Sequence, residues 1–287
     1  MKKWIFLFLF FLFSPACASA FSLSPTKVNL TIDPGDVQIL EVKIKNNDQA
    51  AHDFRPVVMG VEQTEQGVPR FVSGVSDVES WATVKAEDFT LLPGQEKVIR
   101  FFVNVPDASY PGSYYLGLGA EQLSEQSGDV NLPVRLLSLV NIKVAGIVNE
   151  EIKFDKWQST KKVWFSPNWK FHSEAINQGN IELPLKGELA VYDFFGTKIA
   201  SKELYLGNKL IPGTTRNFNT DFSLSGGCIF VPGIYQVDFI LHYGLSNQMI
   251  VASTKLWYFY PPTTLLGALV FLLILFLLGK KIFRGKK

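Results

Sequence analysis

Leu40-Glu41-Val42-Lys43-Ile44-Lys45-Asn46-Asn47 decides the fold. Apolar and charged residues alternate strictly through Lys45, a period of two that sets one face on a core and the other in water. The same rhythm returns along the chain. Ile99, Phe101, Val103 and Val105 share a face, then Val140, Ile142 and Val144, then Phe218, Thr220, Phe222 and Leu224, then Val237, Phe239 and Leu241. No long stretch of 3.6-residue periodicity interrupts it before Pro261. The chain up to that point reads as all-β.

Turn residues divide these strands in a repeated order. Pro-Gly occurs at Pro34-Gly35, Pro93-Gly94, Pro111-Gly112, Pro212-Gly213 and Pro232-Gly233. Proline presets φ at the second turn position and glycine accepts a positive φ at the third, so each pair suits a type II turn. In the first half Asn46-Asn47 precedes Leu92-Pro93-Gly94 and then Tyr110-Pro111-Gly112-Ser113-Tyr114. In the second half Asn177-Gln178-Gly179-Asn180 precedes Ile211-Pro212-Gly213 and then Val231-Pro232-Gly233-Ile234-Tyr235. Two copies of one plan fit this better than one large barrel. The expected fold is two tandem immunoglobulin-like β-sandwiches, at residues 21–149 and 150–260, each with about seven short strands.

Both ends of the chain are apolar. Thr263 to Gly279 carries no charge and is followed by Lys280, Lys281, Arg284, Lys286 and Lys287. At 1.5 Å per residue this stretch is roughly 25 Å long, close to the ~30 Å of bilayer hydrocarbon. Trp257, Tyr258, Phe259 and Tyr260 precede it at the level of an aromatic belt. Residues 261–279 therefore read as a single transmembrane helix, with 280–287 as a basic cytoplasmic tail and the β-rich body outside the plasma membrane. Residues 1–20 read as a signal peptide, with Lys2 and Lys3, the apolar run Trp4–Phe13 and the small residues Ala18-Ser19-Ala20 before the cut. A lipidated Cys17 is the competing reading. Pro15 and the lack of a leucine at position 14 weigh against it.

Charge and cysteine usage exclude several classes. Without Lys2, Lys3 and the five tail cations, 21 basic residues face 26 acidic ones, so the body has no electrostatic reason to seek nucleic acid. Removal of Cys17 with the signal leaves Cys228 alone, which rules out an internal disulfide. No nucleophile elbow, His-Glu-x-x-His, phosphate loop or paired-cysteine site occurs. His52, His172 and His242 have no ligand-like spacing, Asp33 and Asp36 flank a turn, and the sequon at Asn29 sits in an expected strand. No catalytic residue, cofactor or metal is expected, and the chain reads as non-enzymatic.

Several segments resemble the WxL-interacting cell-surface proteins of Gram-positive bacteria. They are Ser24-Pro25, Pro34-Gly35, Val42 to Asn46, Trp81, Phe89 to Gly94 and Val105-Pro106 to Tyr114, then Asn177 to Asn180 with the Pro-Gly turns after it. The resemblance covers about Phe21 to Leu256 and the order of signal, two sandwiches, membrane helix and basic tail. It implies a peptidoglycan-domain-like first sandwich, a partner-binding second one, and work in cell-surface complexes.

Lys153 to Lys170 offers a sharper candidate. Trp157, Trp164 and Trp169 are interleaved with Lys153, Lys156, Lys161, Lys162 and Lys170, against the single acid Asp155. Indole faces stack on sugar rings and lysines attract phosphate, so Trp157, Lys161, Lys162, Trp164 and Trp169 could contact a wall glycan, another polyanion or lipid headgroups. In the other reading, which we favour, the tryptophans close the second sandwich and the lysines are solvated. Open sheet edges provide a second route, since a partner strand can pair there without special side chains. The expected function is to bind and present or retain other envelope proteins; the alternative is direct recognition of peptidoglycan or wall glycan.

Overall fold

The computed structural model describes residues 20–123, 134–224 and 232–284. Residues 1–19 of the expected signal peptide, residues 285–287 of the expected tail, and Cys228 lie outside the described residues. The chain is mostly β-sheet, ends in one helix, and divides into two compact units. One comprises the chain up to Glu62 together with Phe71–Gly146, and the other Gln63–Arg70 together with the chain from Ile147 onward. The division thus falls three residues before the expected Asn149, and a short hairpin tip belongs with the later unit.

The first unit is built from β1 (Phe21–Ser24), β2 (Lys27–Ile32), β3 (Val37–Asn46), β4 (His52–Gln63), β5 (Pro69–Val72), β6 (Ala82–Val84), β7 (Phe89–Leu91), β8 (Glu96–Asn104), β9 (Gly112–Leu123) and β10 (Arg135–Val144). One sheet runs β1-β3-β8-β6, and the other β2-β10-β9-β4-β5 with β7 beside β4. Val42 and Ile44 of β3 meet Ile99, Phe101 and Val103 of β8 across a core shared with Leu116, Leu118, Val140 and Ile142. These are the inward members of the alternating runs. Their outward neighbours, such as Lys43 and Glu96, pair in solvent at 3.1 Å.

The second unit repeats the scheme with β11 (Ile152–Ser159), β12 (Val163–Trp164), β13 (Asn168–Asn177), β14 (Leu185–Tyr192), β15 (Lys198–Leu204), β16 (Thr215–Ser223), β17 (Gly233–Tyr243) and β18 (Gln248–Tyr258). Its sheets run β11-β13-β16 and β12-β18-β17-β14-β15. In both units the opening strand is split: its first part pairs antiparallel in one sheet (β1 with β3, β11 with β13). Its second part then pairs parallel with the last strand of the other sheet, β2 with β10 and β12 with β18. Trp169, Phe171, Phe218 and Phe222 face Val191, Val237, Phe239 and Leu241 across the core.

The repeat extends to single hydrogen bonds. Asn46 and Asn177 end corresponding strands, and each is fully buried. Asn46 Nδ2 donates to the carbonyls of Ala50 at 2.7 Å and Leu91 at 2.9 Å, while its Oδ1 accepts from Asp48 N at 2.9 Å. Asn177 Nδ2 donates to Ile181 O and Leu210 O, both at 2.8 Å, and its Oδ1 accepts from Gly179 N at 2.9 Å. Each backbone carbonyl then takes the N–H of the glycine in the following Pro-Gly turn, Gly94 or Gly213, at 2.9 Å. A buried carboxamide needs all its partners, and these two have them.

The Pro-Gly turns divide into two kinds. Gly35, Gly94 and Gly213 have φ of 86°, 76° and 71°, and their turns close with N–H to carbonyl bonds from Asp36 to Asp33, Gln95 to Leu92 and Thr214 to Ile211. These are the type II turns that the dipeptide predicts. Gly112 (φ 156°) and Gly233, which is not left-handed, instead begin β9 and β17. There the expectation of a type II turn is corrected, because the glycine is already extended and paired. Tyr114, just inside β9, donates its hydroxyl to Tyr110 O at 2.8 Å, the local bracing seen at tyrosine corners.

After β18 comes helix α1 (Pro261–Arg284). Among the described residues it is long and apolar enough to cross a membrane over Pro261–Leu278, and none of that span is buried against protein. Its N-terminus is tied back by Thr263 and Thr264, whose hydroxyls each donate to Tyr260 O at 3.0 Å.

Asn46→Ala or Asn177→Ala leaves one buried carbonyl unpaired, Leu91 O or Leu210 O, at roughly 1–3 kcal/mol, and removes two part-buried bonds to the following loop at about 0.5–1 kcal/mol each. Urea unfolding of the full chain in detergent micelles should show each losing on the order of 3 kcal/mol. The exposed Asn47→Ala should cost under about 0.5 kcal/mol. Equal losses at positions 46 and 47 would remove the distinction.

Candidate binding surfaces

The Trp–Lys segment folds so that its indoles turn inward. β13 carries Trp169 on its core side, where it packs against Phe222, Tyr235 and Tyr258 with ring centroids 6.3, 5.8 and 5.3 Å away. It is fully buried and offers no face to a ligand. Trp164 is also buried, and its Nε1 donates to Ser159 Oγ at 2.9 Å and Lys161 O at 2.8 Å. Trp157 stacks on Phe171 at 4.9 Å and gives its N–H to Val237 O at 3.0 Å. Lys161 and Lys162 remain exposed, with Lys161 Nζ 5.5 Å from the Trp164 ring. Of the glycan-contact candidates, Lys161 and Lys162 face water, Trp157 is half-buried, and Trp164 and Trp169 lie in the core.

The histidines do not converge. His52 hydrogen-bonds Asp48 at 2.8 Å, His172 hydrogen-bonds Asn219 at 2.9 Å, and His242 lies on β17. The His52 contact holds the Asp48 carboxyl below its usual range. No group of three potential ligands placed to hold a metal occurs among the described residues.

Another feature of the second unit has the shape of a binding site. β15 and β16 end their respective sheets, and a groove of about 600 Å3 runs between them. Leu204, Leu206 and Phe218 give it an apolar part, and its polar lining includes Lys202, Glu203, Arg216, Asn219 and Asp221. Lys202 Nζ reaches across to Asp221 O at 2.9 Å. Arg216 is buried without a carboxylate partner among the described residues. Its guanidinium donates instead to the carbonyls of Leu206 at 2.9 Å, Asn208 and Lys209, and burial pushes its pKa below the ordinary arginine value.

Register fixes which backbone groups face the groove. Asn217, Asn219 and Asp221 lie opposite Glu174, His172 and Lys170. Asn217 N donates outward, to Glu65 O at 3.1 Å, and Asn217 Nδ2 adds a 2.7 Å bond to Glu65 Oε2. Because alternate residues of a strand point the same way, the N–H groups of Asn219 and Asp221 also face away from β13. The tip segment around Glu65 thus already makes the first rung of an extended pairing on this edge. Sequence reading missed the groove because edge position is topological: Lys198 to Leu204 looks like any half-exposed strand.

No protein-family model and no curated protein matches the chain. Solved structures similar to it include a chain of the chaperone–tip adhesin complex of CFA/I fimbriae, at 11% identity and a TM-score of 0.47, covering 81% of this chain and 98% of that one. The class 5 fimbriae chaperone CfaA is similar at 13% identity and TM-score 0.44, over 82% and 98%. The Salmonella enterica SafA pilin–SafB chaperone complex is similar at 11% identity and TM-score 0.39, over 84% and 96%. At TM-scores below 0.5 these likenesses carry no inference about how this chain works.

The burial pattern separates core from solvated charge by experiment. Trp169→Ala should destabilise the chain by about 3–5 kcal/mol. Lys161→Glu with Lys162→Glu should change stability by under about 1 kcal/mol. Thermal unfolding followed by tryptophan fluorescence checks both, and a mild Trp169→Ala would place that indole outside the core.

Proposed function

We propose that the chain is a non-enzymatic, single-pass protein of the plasma membrane that binds and presents or retains other envelope proteins at the cell surface. In this reading a signal peptide is removed after Ala20 and two tandem immunoglobulin-like sandwiches stand outside. α1 crosses the bilayer and the basic tail stays in the cytoplasm. The observation that carries the reading is the apolar span Pro261–Leu278, which buries nothing against protein and follows directly on the last strand. Apolar surface of that extent has no soluble partner among the described residues, whereas lipid would accept all of it. The resemblance to WxL-interacting proteins points the same way. Orientation follows from the cations after the span, since basic residues stay cytoplasmic.

The partner is taken up as an extended strand on the outer edge of β16. Main-chain N–H and C=O groups supply the affinity and the apolar lining of the groove selects alternate side chains. This mode needs no catalytic group and no cofactor. It fits a surface whose open edge begins with a rung already made by Glu65.

Two experiments test this. Alkaline carbonate should leave the full chain in the membrane pellet and release a chain ending at Tyr260; release of both would remove the anchor. A photo-crosslinking residue at Tyr205 should capture a defined protein neighbour. Asn219→Pro removes an outward N–H and also the Asn219 side-chain bond to His172 on β13, so it should lower that capture more than about tenfold, while Asn219→Ala, which loses only the side-chain bond, should leave capture unchanged. Unchanged capture would reject strand addition at this edge.

A further inference from the structure

The end of the second unit from which α1 emerges is rimmed by exposed aromatics. Gly233 pairs with Tyr258, Trp164 with Tyr258, and Tyr192 with Gln236, so the start of β17, the ends of β12, β14 and β18 and the turn after β14 share that end. There Phe165 is 64% exposed, Phe194 73%, Phe195 85% and Trp257 45%. Large apolar groups so exposed within one region are seldom left to water, and they mark an interaction surface.

Local chemistry holds them outward. Asp193 Oδ1 accepts from Phe195 N at 2.9 Å and Thr197 N at 2.8 Å, and Gly196 (φ 80°) completes the turn, so Phe194 and Phe195 are presented on a braced tip. Phe165, Phe259 and Trp257 form a ladder, with Phe259 stacked 6.0 Å from Phe165 and 5.9 Å from Trp257. The tip and the ladder are neighbours, because Phe194 and Lys255 line the same hollow of about 480 Å3 on the outer sheet face. Lys255 shares the outward face of β18 with Trp257, and Lys162 O accepts the Trp257 N–H at 2.8 Å. Two carboxylates also lie in the hollow. Asp193 is engaged by the turn, and Asp238 is buried and accepts from Gln236 at 2.9 Å.

We propose that this rim is a lipid-contact surface, with Phe165, Phe194, Phe195 and Trp257 at headgroup depth and Lys162 and Lys255 beside lipid phosphates. The proposal rests on the reading of α1 as a membrane anchor. It adds that the second unit lies against the bilayer and is not merely tethered above it. Two features select lipid over a protein partner. The rim is continuous with the apolar span, which begins two residues after Phe259, and it combines aromatic rings with exposed lysines, the pairing that suits an anionic interface. A protein bound here would have to share this end with the bilayer.

The test uses the full chain, with Cys17 and Cys228 changed to serine, in vesicles of phosphatidylglycerol and phosphatidylethanolamine. A fluorophore is placed singly at Leu272→Cys, Thr197→Cys or Leu245→Cys, the last at the opposite end of β17 and β18. Spin-labelled lipids then quench from the headgroup or from mid-chain. The expected result is deep quenching at position 272, and headgroup quenching at 197 about threefold above that at 245. Phe194→Ser with Phe195→Ser should abolish the excess at 197 and leave 272 unchanged. Deep quenching at 272 with equal signals at 197 and 245 would overturn the lipid-contact surface and keep the anchor. Absence of quenching at 272 would overturn both.

Discussion

A buried carboxamide at the end of the third strand of each unit is the constraint on which the sheets depend. Asn46 and Asn177 each tie three separate pieces of chain together: the loop that follows, the segment before a Pro-Gly turn, and that turn's glycine. The Leu91 and Leu210 carbonyls are closed off from water, so leaving either unpaired would carry the full desolvation cost. The turn and the strand end are thereby fixed with respect to each other, and the strand leaving the turn (β8 or β16) starts in register with its partner. The alternating apolar residues then fall on the core side, since a slip of one would reverse every side chain.

From that register follows where the second unit is open. β11 and β12 are one opening strand shared between two sheets, so it guards that flank. Among the described residues the opposite flank has no such shared strand, although Glu65 pairs with Asn217 there and Lys202 Nζ reaches Asp221 O. β15 and β16 end their sheets there with a groove between them, and the alternation dictated by β13 turns the N–H groups of Asn219 and Asp221 into it. An open sheet edge is thus a by-product of the same pairing scheme that closes the other side. The proposed function asks nothing further of the side chains, which is consistent with a sequence lacking a catalytic signature.

Much of the fold was legible because its strands have one wet and one dry face. Val42, Ile44, Ile99, Phe101 and Val103 could be assigned to a core from spacing alone, and all five are buried. The repeated order of asparagine and Pro-Gly was also visible, although its cause was not, because Asn46 reaches Leu91 across 45 residues of sequence. Pro111-Gly112 and Pro232-Gly233 misled, since a dipeptide does not reveal whether its glycine is already extended. The Trp–Lys segment was ambiguous for a different reason. Alternating indoles and lysines arise equally from a core strand and from a ligand face, and only the pairing of β13 with β16 decides that Trp169 points inward. Of the aromatic rim only Trp257 and Phe259 were legible, as part of an aromatic belt; Phe165, Phe194 and Phe195 join them, and the groove forms between two edge strands, only in the folded sheet.

The central claim is that a β-rich body is held outside the cell by α1. The most direct measurement is the reaction of single cysteines with a membrane-impermeant maleimide in intact cells producing the chain, again with Cys17 and Cys228 changed to serine. Tyr205→Cys, at an almost fully exposed position of the second unit, should label in intact cells. Lys287→Cys should label only after the cells are opened. Labelling of position 287 but not 205 in intact cells, or of neither until lysis, would contradict the account.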